Sequence, residues 1–187
     1  VRAGEFVAIV GPSGCGKSSL VKAGLLPHLS KDIITIYVEA TADDTETRIL
    51  RGLRKRLPEL SEELGLADTL AALRRGVGFQ PANRIADTAK AGWKPAPQKV
   101  VIIIDQFEQW LHAHRVEPDT ELVRALRQCD GGRLQCVVMV RDDFYVAALR
   151  LMQALDIEVV PGRNFLLVDL FDVDHARKVL IRFGQAF

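Results

Sequence analysis

Cysteine is scarce in this sequence: Cys15, Cys129 and Cys136 are the only three in 187 residues. An odd number without metal-ligand spacing excludes a disulfide framework and a cysteine-built zinc site, and a reducing, cytoplasmic compartment is the expectation. Net charge is equally small. Lys and Arg total 25 and Asp and Glu total 24, leaving +1, so no bulk field draws the chain to nucleic acid or to an anionic membrane. No apolar run approaches the length that spans a bilayer, and neither an internal repeat nor a low-complexity tract is present. Aromatic residues make up only 6%. None interleaves with the basic stretch Arg48, Arg51, Arg54, Lys55 and Arg56, so a solvated helix face is a better account of that stretch than a nucleic-acid surface.

Against these absences, hydrophobic content of 48% and charged content of 26% are those of an ordinary globular protein. One domain spanning residues 1–187 is expected. A chain of this size buries roughly 70% of its extended surface, enough for a core without staples. The sequence starts almost on a strand and stops just after a helix, so it reads as a piece of something longer.

The most informative stretch is Gly11-Pro12-Ser13-Gly14-Cys15-Gly16-Lys17-Ser18, a full match to G-x-x-x-x-G-K-[ST], the Walker A pattern. Its context agrees. Phe6-Val7-Ala8-Ile9-Val10 upstream is a buried parallel strand by composition. Downstream, Ser18, Ser19, Leu20, Val21, Leu25 and Leu26 carry helical spacing, and Pro27 is expected to stop the helix. Glycines let backbone N–H groups close around phosphate oxygens, and the helix N-terminus favours an anion. Gly11, Pro12, Ser13, Gly14, Cys15, Gly16, Lys17, Ser18 and Ser19 are therefore the expected nucleotide-binding set. Lys17 would reach the β- and γ-phosphates, and the Ser18 hydroxyl would ligate Mg²⁺. At Cys15 the loop requires only a small residue.

Further along, residues 33–38 form a second strand candidate. Asp43, Asp44 and Thr45 offer caps for a helix running to Pro58. Residues 61–75 and 81–91 read as helices, and Trp93, Pro95 and Pro97 mark a rigid loop. Val100-Val101-Ile102-Ile103-Ile104 is the most apolar segment and lacks polar alternation, as expected of a strand covered on both faces. It ends on Asp105. Ligands in open parallel sheets lie beyond the strands' carboxyl ends, so Asp105 would stand beside the phosphate loop as the second Mg²⁺ partner; the plainer role is a helix cap. Glu108 follows in the first turn of a helix, where it either poises a water for attack on the γ-phosphate or simply complements the helix N-terminus. His112 and His114, two apart, face different ways. Asp119 is expected to cap a helix to Arg127, closed by Gly131 and Gly132. A fourth strand over 136–140 ends on Arg141, which would sense the γ-phosphate or pair with Asp142 or Asp143. Residues 165–168 form a fifth strand, and Asp172 caps a last helix carrying Leu180 to Phe183.

Together the phosphate loop with its Gly24-Leu25-Leu26-Pro27 sequel, the Asp105-Gln106-Phe107-Glu108 block and Val140-Arg141-Asp142-Asp143-Phe144 resemble the STAND class of P-loop NTPases, in the bacterial branch called novel STAND NTPase 1. The resemblance covers nearly the whole chain. That family usually reads Asp-Gln-Phe-Glu-Glu; here Gln109 replaces the second Glu. The resemblance implies an α/β fold, a three-layer P-loop NTPase sandwich around a mostly parallel five-stranded sheet of order 5-1-4-3-2. It implies ATP and Mg²⁺ as ligands, and the positions read above make Lys17, Glu108 and Arg141 the candidate catalytic residues. It further implies a regulatory switch ATPase, slow in hydrolysis, within a multidomain signalling protein. A helical lid would start within 170–187, followed by a winged helix, with sensor repeats such as WD40, an effector such as a serine/threonine kinase, and nucleotide-dependent homo-oligomers. No nucleic-acid partner and no membrane segment are expected. Three other readings compete. An ABC-type transport ATPase would need an LSGGQ-like helix and a Glu directly after Asp105, where Gln106 stands. A small-molecule kinase would need a second substrate pocket, which nothing announces. A nucleotide-binding scaffold without turnover is separated only by measured hydrolysis.

Overall fold

A computed structural model describes residues 6–79, 99–114, 117, 119–170, 174, 177, 178 and 181. Five apolar stretches become the strands β1 (Phe6–Gly11), β2 (Ile33–Glu39), β3 (Lys99–Asp105), β4 (Leu134–Arg141) and β5 (Phe165–Leu167). All pair in parallel in the order β2-β3-β4-β1-β5, which is the expected 5-1-4-3-2. Parallel neighbours require crossovers, and these run through helices α1 to α6: α1 (Lys17–Ser19), α2 (Thr45–Arg56), α3 (Leu66–Arg74), α4 (Glu108–Ala113), α5 (Glu121–Leu126) and α6 (Tyr145–Ala154).

Successive side chains in a strand point to opposite faces, and both faces are apolar. Phe6, Ala8, Val10, Ile102, Ile104, Val138 and Val140 join one core with Ile49 and Leu53 of α2, Leu70 and Leu73 of α3, Trp110 of α4, Leu122 of α5 and Leu151 of α6. Val7, Ile9, Val101, Ile103, Val137 and Met139 form the other with Val21, Leu25 and Leu26. Helices thus cover both faces, giving three layers. Each fully buried isoleucine in β3 stabilises the fold by roughly 1.5–3 kcal/mol. No helix among the described residues is long and apolar enough to cross a membrane.

Several local expectations need correction. Pro27 does not stop the first helix. After α1 the chain continues as a π turn (Leu20–Leu25) and a 3₁₀ turn (Leu26–His28), and becomes extended only at Leu29. Pro27 lies in the first positions of the 3₁₀ turn, where its missing N–H has no partner to lose. Asp44 occupies the N-cap of α2 but makes no capping bond. Thr45, the first helical residue, does not cap it either: its Oγ1 ties down the preceding turn, accepting from the Thr41 amide at 2.9 Å and donating to the Thr41 carbonyl at 2.8 Å. α3 starts at Leu66, five residues later than the pattern implies. Its first amide donates to Glu121 Oε1 at 2.8 Å, so a side chain 55 positions away sets that start. α5 begins at Glu121 with Thr120, not Asp119, at its N-cap, and ends at Leu126, well before Gly131 and Gly132. The amide of Gly131 bonds instead to the Leu134 carbonyl at the head of β4. α6 is additional to the helices expected from the sequence, although Ala148, Leu151, Met152 and Leu155 are helically spaced and buried. The helix expected over 81–91 and the loop of Trp93, Pro95 and Pro97 lie outside the described residues. Asp174, Arg177, Lys178 and Ile181 are helical; Asp172, Leu180 and Phe183 lie outside the described residues, as does most of 170–187.

Candidate functional site

Register decides which side chains meet. Gly11 of β1 is level with Arg141 of β4, and Glu39 of β2 is level with Asp105 of β3. All are at carboxyl ends of parallel strands, so the loop after β1, Asp105 and Arg141 share one rim. The loop turns through Gly14 at φ 81° and Gly16 at φ 91°, left-handed values that an L side chain resists. The amides of Ser13, Gly14 and Gly16 donate to nothing among the described residues. Those of Lys17 and Ser18 open a helix, where amides have no intrahelical acceptor. Unsatisfied N–H groups and the positive end of a helix therefore converge on one spot.

Lys17 Nζ donates to the carbonyls of Gly11 at 2.6 Å and Pro12 at 2.9 Å. Its ammonium is 3.8 Å from Cys15 Sγ, whose side chain is buried behind the loop. Ser18 Oγ donates to Asp105 Oδ2 at 2.7 Å. The same oxygen accepts the phenolic O–H of Tyr37, while Oδ1 accepts the Gln106 amide at 2.8 Å. Asp105 is 3% exposed, and a buried carboxylate needs such donors. Burial, then the hydrogen bond to Asp105, raises the Tyr37 phenol well above the usual tyrosine range. Gln106 has φ 53°, a left-handed backbone that turns the chain out of β3 into α4.

Glu108, in the first turn of α4, accepts the Arg141 amide on Oε2 at 3.3 Å. The Arg141 guanidinium is held from the other side. Nε and Nη2 each lie 2.6 Å from one oxygen of Asp143, a bidentate pair, and the charge sits 5.5 Å from the centre of the Phe144 ring. The Asp143 bonds raise the Arg141 pKa, and the guanidinium holds the Asp143 carboxyl below its ordinary range. Both groups are exposed, so the pair adds little stability, but it occupies the donors a phosphate would use.

Ser13, Gly14, Gly16, Lys17, Ser18, Ser19, Asp105, Gln106, Glu108 and Arg141 line one cleft of about 470 Å³. Gly11, Pro12 and Cys15 stand behind its wall, the first two through the carbonyls that hold Lys17. Sequence reasoning missed two participants. Gln106 carries no charge that would mark it as part of the cleft. Tyr37 lies within the second strand, and the one signal for it is that a tyrosine near the end of a buried strand has a hydroxyl to place. His112 and His114 stay apart: His114 stacks on Trp110 at 4.8 Å, and His112 lies near Phe144. No cluster of three or more His, Cys, Asp or Glu that could hold a metal occurs among the described residues.

The donor set suits a Mg-nucleotide. Mg²⁺ takes octahedral oxygen ligands at 2.0–2.1 Å and keeps several waters, so two adjacent ligand oxygens are roughly 2.9 Å apart. Ser18 Oγ and Asp105 Oδ2, 2.7 Å apart in the cleft, are close to that spacing. The free loop amides and the Lys17 ammonium supply what phosphate oxygens require.

Comparison with known proteins places this arrangement. The profile of the novel STAND NTPase 1 family matches residues 1–182. A protein of Brucella abortus (strain 2308) named for ATP binding is 29% identical over 143 residues, 75% of this chain and 35% of that protein. The phosphonates import ATP-binding protein PhnC of Hyphomonas neptunium is 41% identical over 75 residues, 39% of this chain and 27% of that protein. Among solved structures, the ORC2 protein of Aeropyrum pernix in ADPNP and ADP complexes superposes with a TM-score of 0.61 over 98% of this chain and 47% of that one, at 18% identity. At that identity the likeness shows the fold alone, a P-loop α/β sheet. The chain spans about a third of the Brucella relative and under half of the Aeropyrum protein. With a P-loop sheet, an anion-binding turn and a family match over nearly its full length, this chain belongs to the novel STAND NTPase 1 family.

Proposed function

We propose that this domain is a nucleotide switch: it binds Mg-ATP in the cleft, hydrolyses it slowly, and changes its contacts with nucleotide state. The observation that carries this is the meeting of Lys17, Ser18 and Asp105 in one cleft, with Ser18 Oγ 2.7 Å from the Asp105 carboxylate. Residues 13–19 would hold the phosphates through backbone amides, and Lys17 would exchange the Gly11 and Pro12 carbonyls for phosphate oxygens. Ser18 and Asp105 would hold Mg²⁺, which when bound neutralises charge developing on the β- and γ-phosphates. Glu108, fixed by the Arg141 amide, is the group that would orient water. Arg141 would stabilise the γ-phosphate once released from Asp143. That pairing is bidentate but exposed, so opening it costs little.

A second reading, a nucleotide-binding scaffold that never turns over, would use the same phosphate-holding residues. Residues 1–187 would form one ATPase domain, with 170–187 leading into a helical lid. Sensor and effector domains in the same chain and a nucleotide-dependent homo-oligomer would be its partners. The three cysteines, none of them in a disulfide, support a reducing, cytoplasmic setting.

Melting curves with and without Mg-ATP test the binding step. Ligand at 100 times its Kd stabilises the native state by about 2.7 kcal/mol, a Tm rise of roughly 5–10 °C at this length. Lys17→Ala should abolish the rise while folding normally. A wild-type domain unmoved by millimolar Mg-ATP would refute the reading. Phosphate release by wild type, against none, separates switch from scaffold.

A further inference from the structure

Tyr37 belongs to none of the motifs in the cleft, yet it touches the residue on which the metal site depends. It sits on β2 level with Ile103 of β3, so its side chain leaves the sheet on the face shared by Ile103 and Asp105. The first helix covers that face, bringing Ser18. From the neighbouring strand the phenol reaches diagonally forward and donates its O–H to Asp105 Oδ2, the oxygen that also receives Ser18. The other oxygen is tied to the Gln106 amide at 2.8 Å. Rotation about the last bond of an aspartate is soft, and that amide alone leaves the carboxylate free to swing. The phenol supplies the second fixed point. The ring is itself held: Lys22 Nζ lies 4.7 Å from its centroid and 3.9 Å from Glu39. Lys22 is one helical turn beyond Ser18, so a single helix meets the carboxylate with one residue and its support with another.

We propose that Tyr37 is a positioning residue of the cation site, holding Oδ2 of Asp105 beside the Ser18 hydroxyl and thereby setting the affinity for the divalent metal that accompanies the nucleotide. The proposal rests on the assignment of Ser18 and Asp105 to Mg²⁺ made above. Partners of this kind orient a metal ligand without touching the metal, and their loss typically weakens metal affinity by about 10–100-fold.

Tyr37→Phe removes one oxygen and keeps the ring under Lys22. In the 187-residue chain, affinity for a fluorescent ATP analogue is measured in EDTA and then across a Mg²⁺ titration. Wild type should bind the analogue more tightly as Mg²⁺ rises. The variant should match wild type within about twofold in EDTA, while its Mg²⁺ midpoint rises about 10-fold or more. A purely structural role would lower Tm and leave that midpoint unchanged; an unchanged or lowered midpoint overturns the proposal. Should Tyr37→Phe fold poorly, Lys22→Met releases the ring from the other side and should raise the midpoint about two- to threefold; no change there overturns it equally. Wild type that binds the analogue without any response to Mg²⁺ would instead remove the metal assignment itself.

Discussion

Replacing Glu108 with Gln isolates the chemistry of the carboxylate from its structural role. Its Oε2 accepts one bond at 3.3 Å from the Arg141 amide, at the partly exposed wall of the cleft. A glutamine oxygen accepts the same bond. The exchange should therefore change stability by less than about 1 kcal/mol, or roughly 3 °C in Tm for a domain of this length. Turnover should respond far more. A positioned general base contributes about 10²–10⁴-fold, equivalent to roughly 3–5 kcal/mol of barrier. The assay is single-turnover phosphate release at saturating Mg-ATP, with Kd measured in parallel by thermal shift. We expect an unchanged Kd and a rate at least 100-fold lower. Equal rates in the two proteins would exclude Glu108 as the group that handles water. A Kd weakened in step with the rate would assign it to holding the cleft.

Other perturbations probe the frame around the site. Trp110 is fully buried, stacks on Phe107 at 5.5 Å and donates to Glu46 at 3.1 Å. Trp110→Ala should cost about 3–5 kcal/mol in chemical denaturation, and a loss under about 1 kcal/mol would contradict its place in the core. Gly16→Ala forces a side chain onto a backbone at φ 91°, at a cost of about 1–2 kcal/mol; an unshifted denaturation midpoint would show that the loop does not hold this turn. The raised pKa of Tyr37 predicts alkaline weakening. Above about pH 10 an unfolded tyrosine loses its proton while the native phenol keeps it, so the native state binds more protons and stability falls as pH rises. Urea titrations between pH 9 and 11 should show that fall in wild type and a smaller one in Tyr37→Phe; identical slopes would mean the phenol titrates normally.

The phosphate loop, the five strands and the apolar faces are written locally. A β-branched run such as Val100 to Ile104, or a glycine-framed lysine after a strand, acts within a few residues, so the order of neighbours suffices to identify it. The rim carrying Asp105 and Arg141 was legible too, because parallel strands present their carboxyl ends together. Elsewhere the answer came from partners far along the chain. α3 starts where Glu121 caps it, Asp105 is fixed by Tyr37 from another strand, and Glu108 is tied to the Arg141 amide across 33 positions. Even the pairing of Arg141 with Asp143 rather than Asp142 was left open by the sequence, since which neighbouring carboxylate a guanidinium meets depends on the 3₁₀ turn at Asp142–Phe144. Residue type and spacing determined that a nucleotide cradle exists. Strand register and helix placement, which no short stretch encodes, decided which side chains complete it.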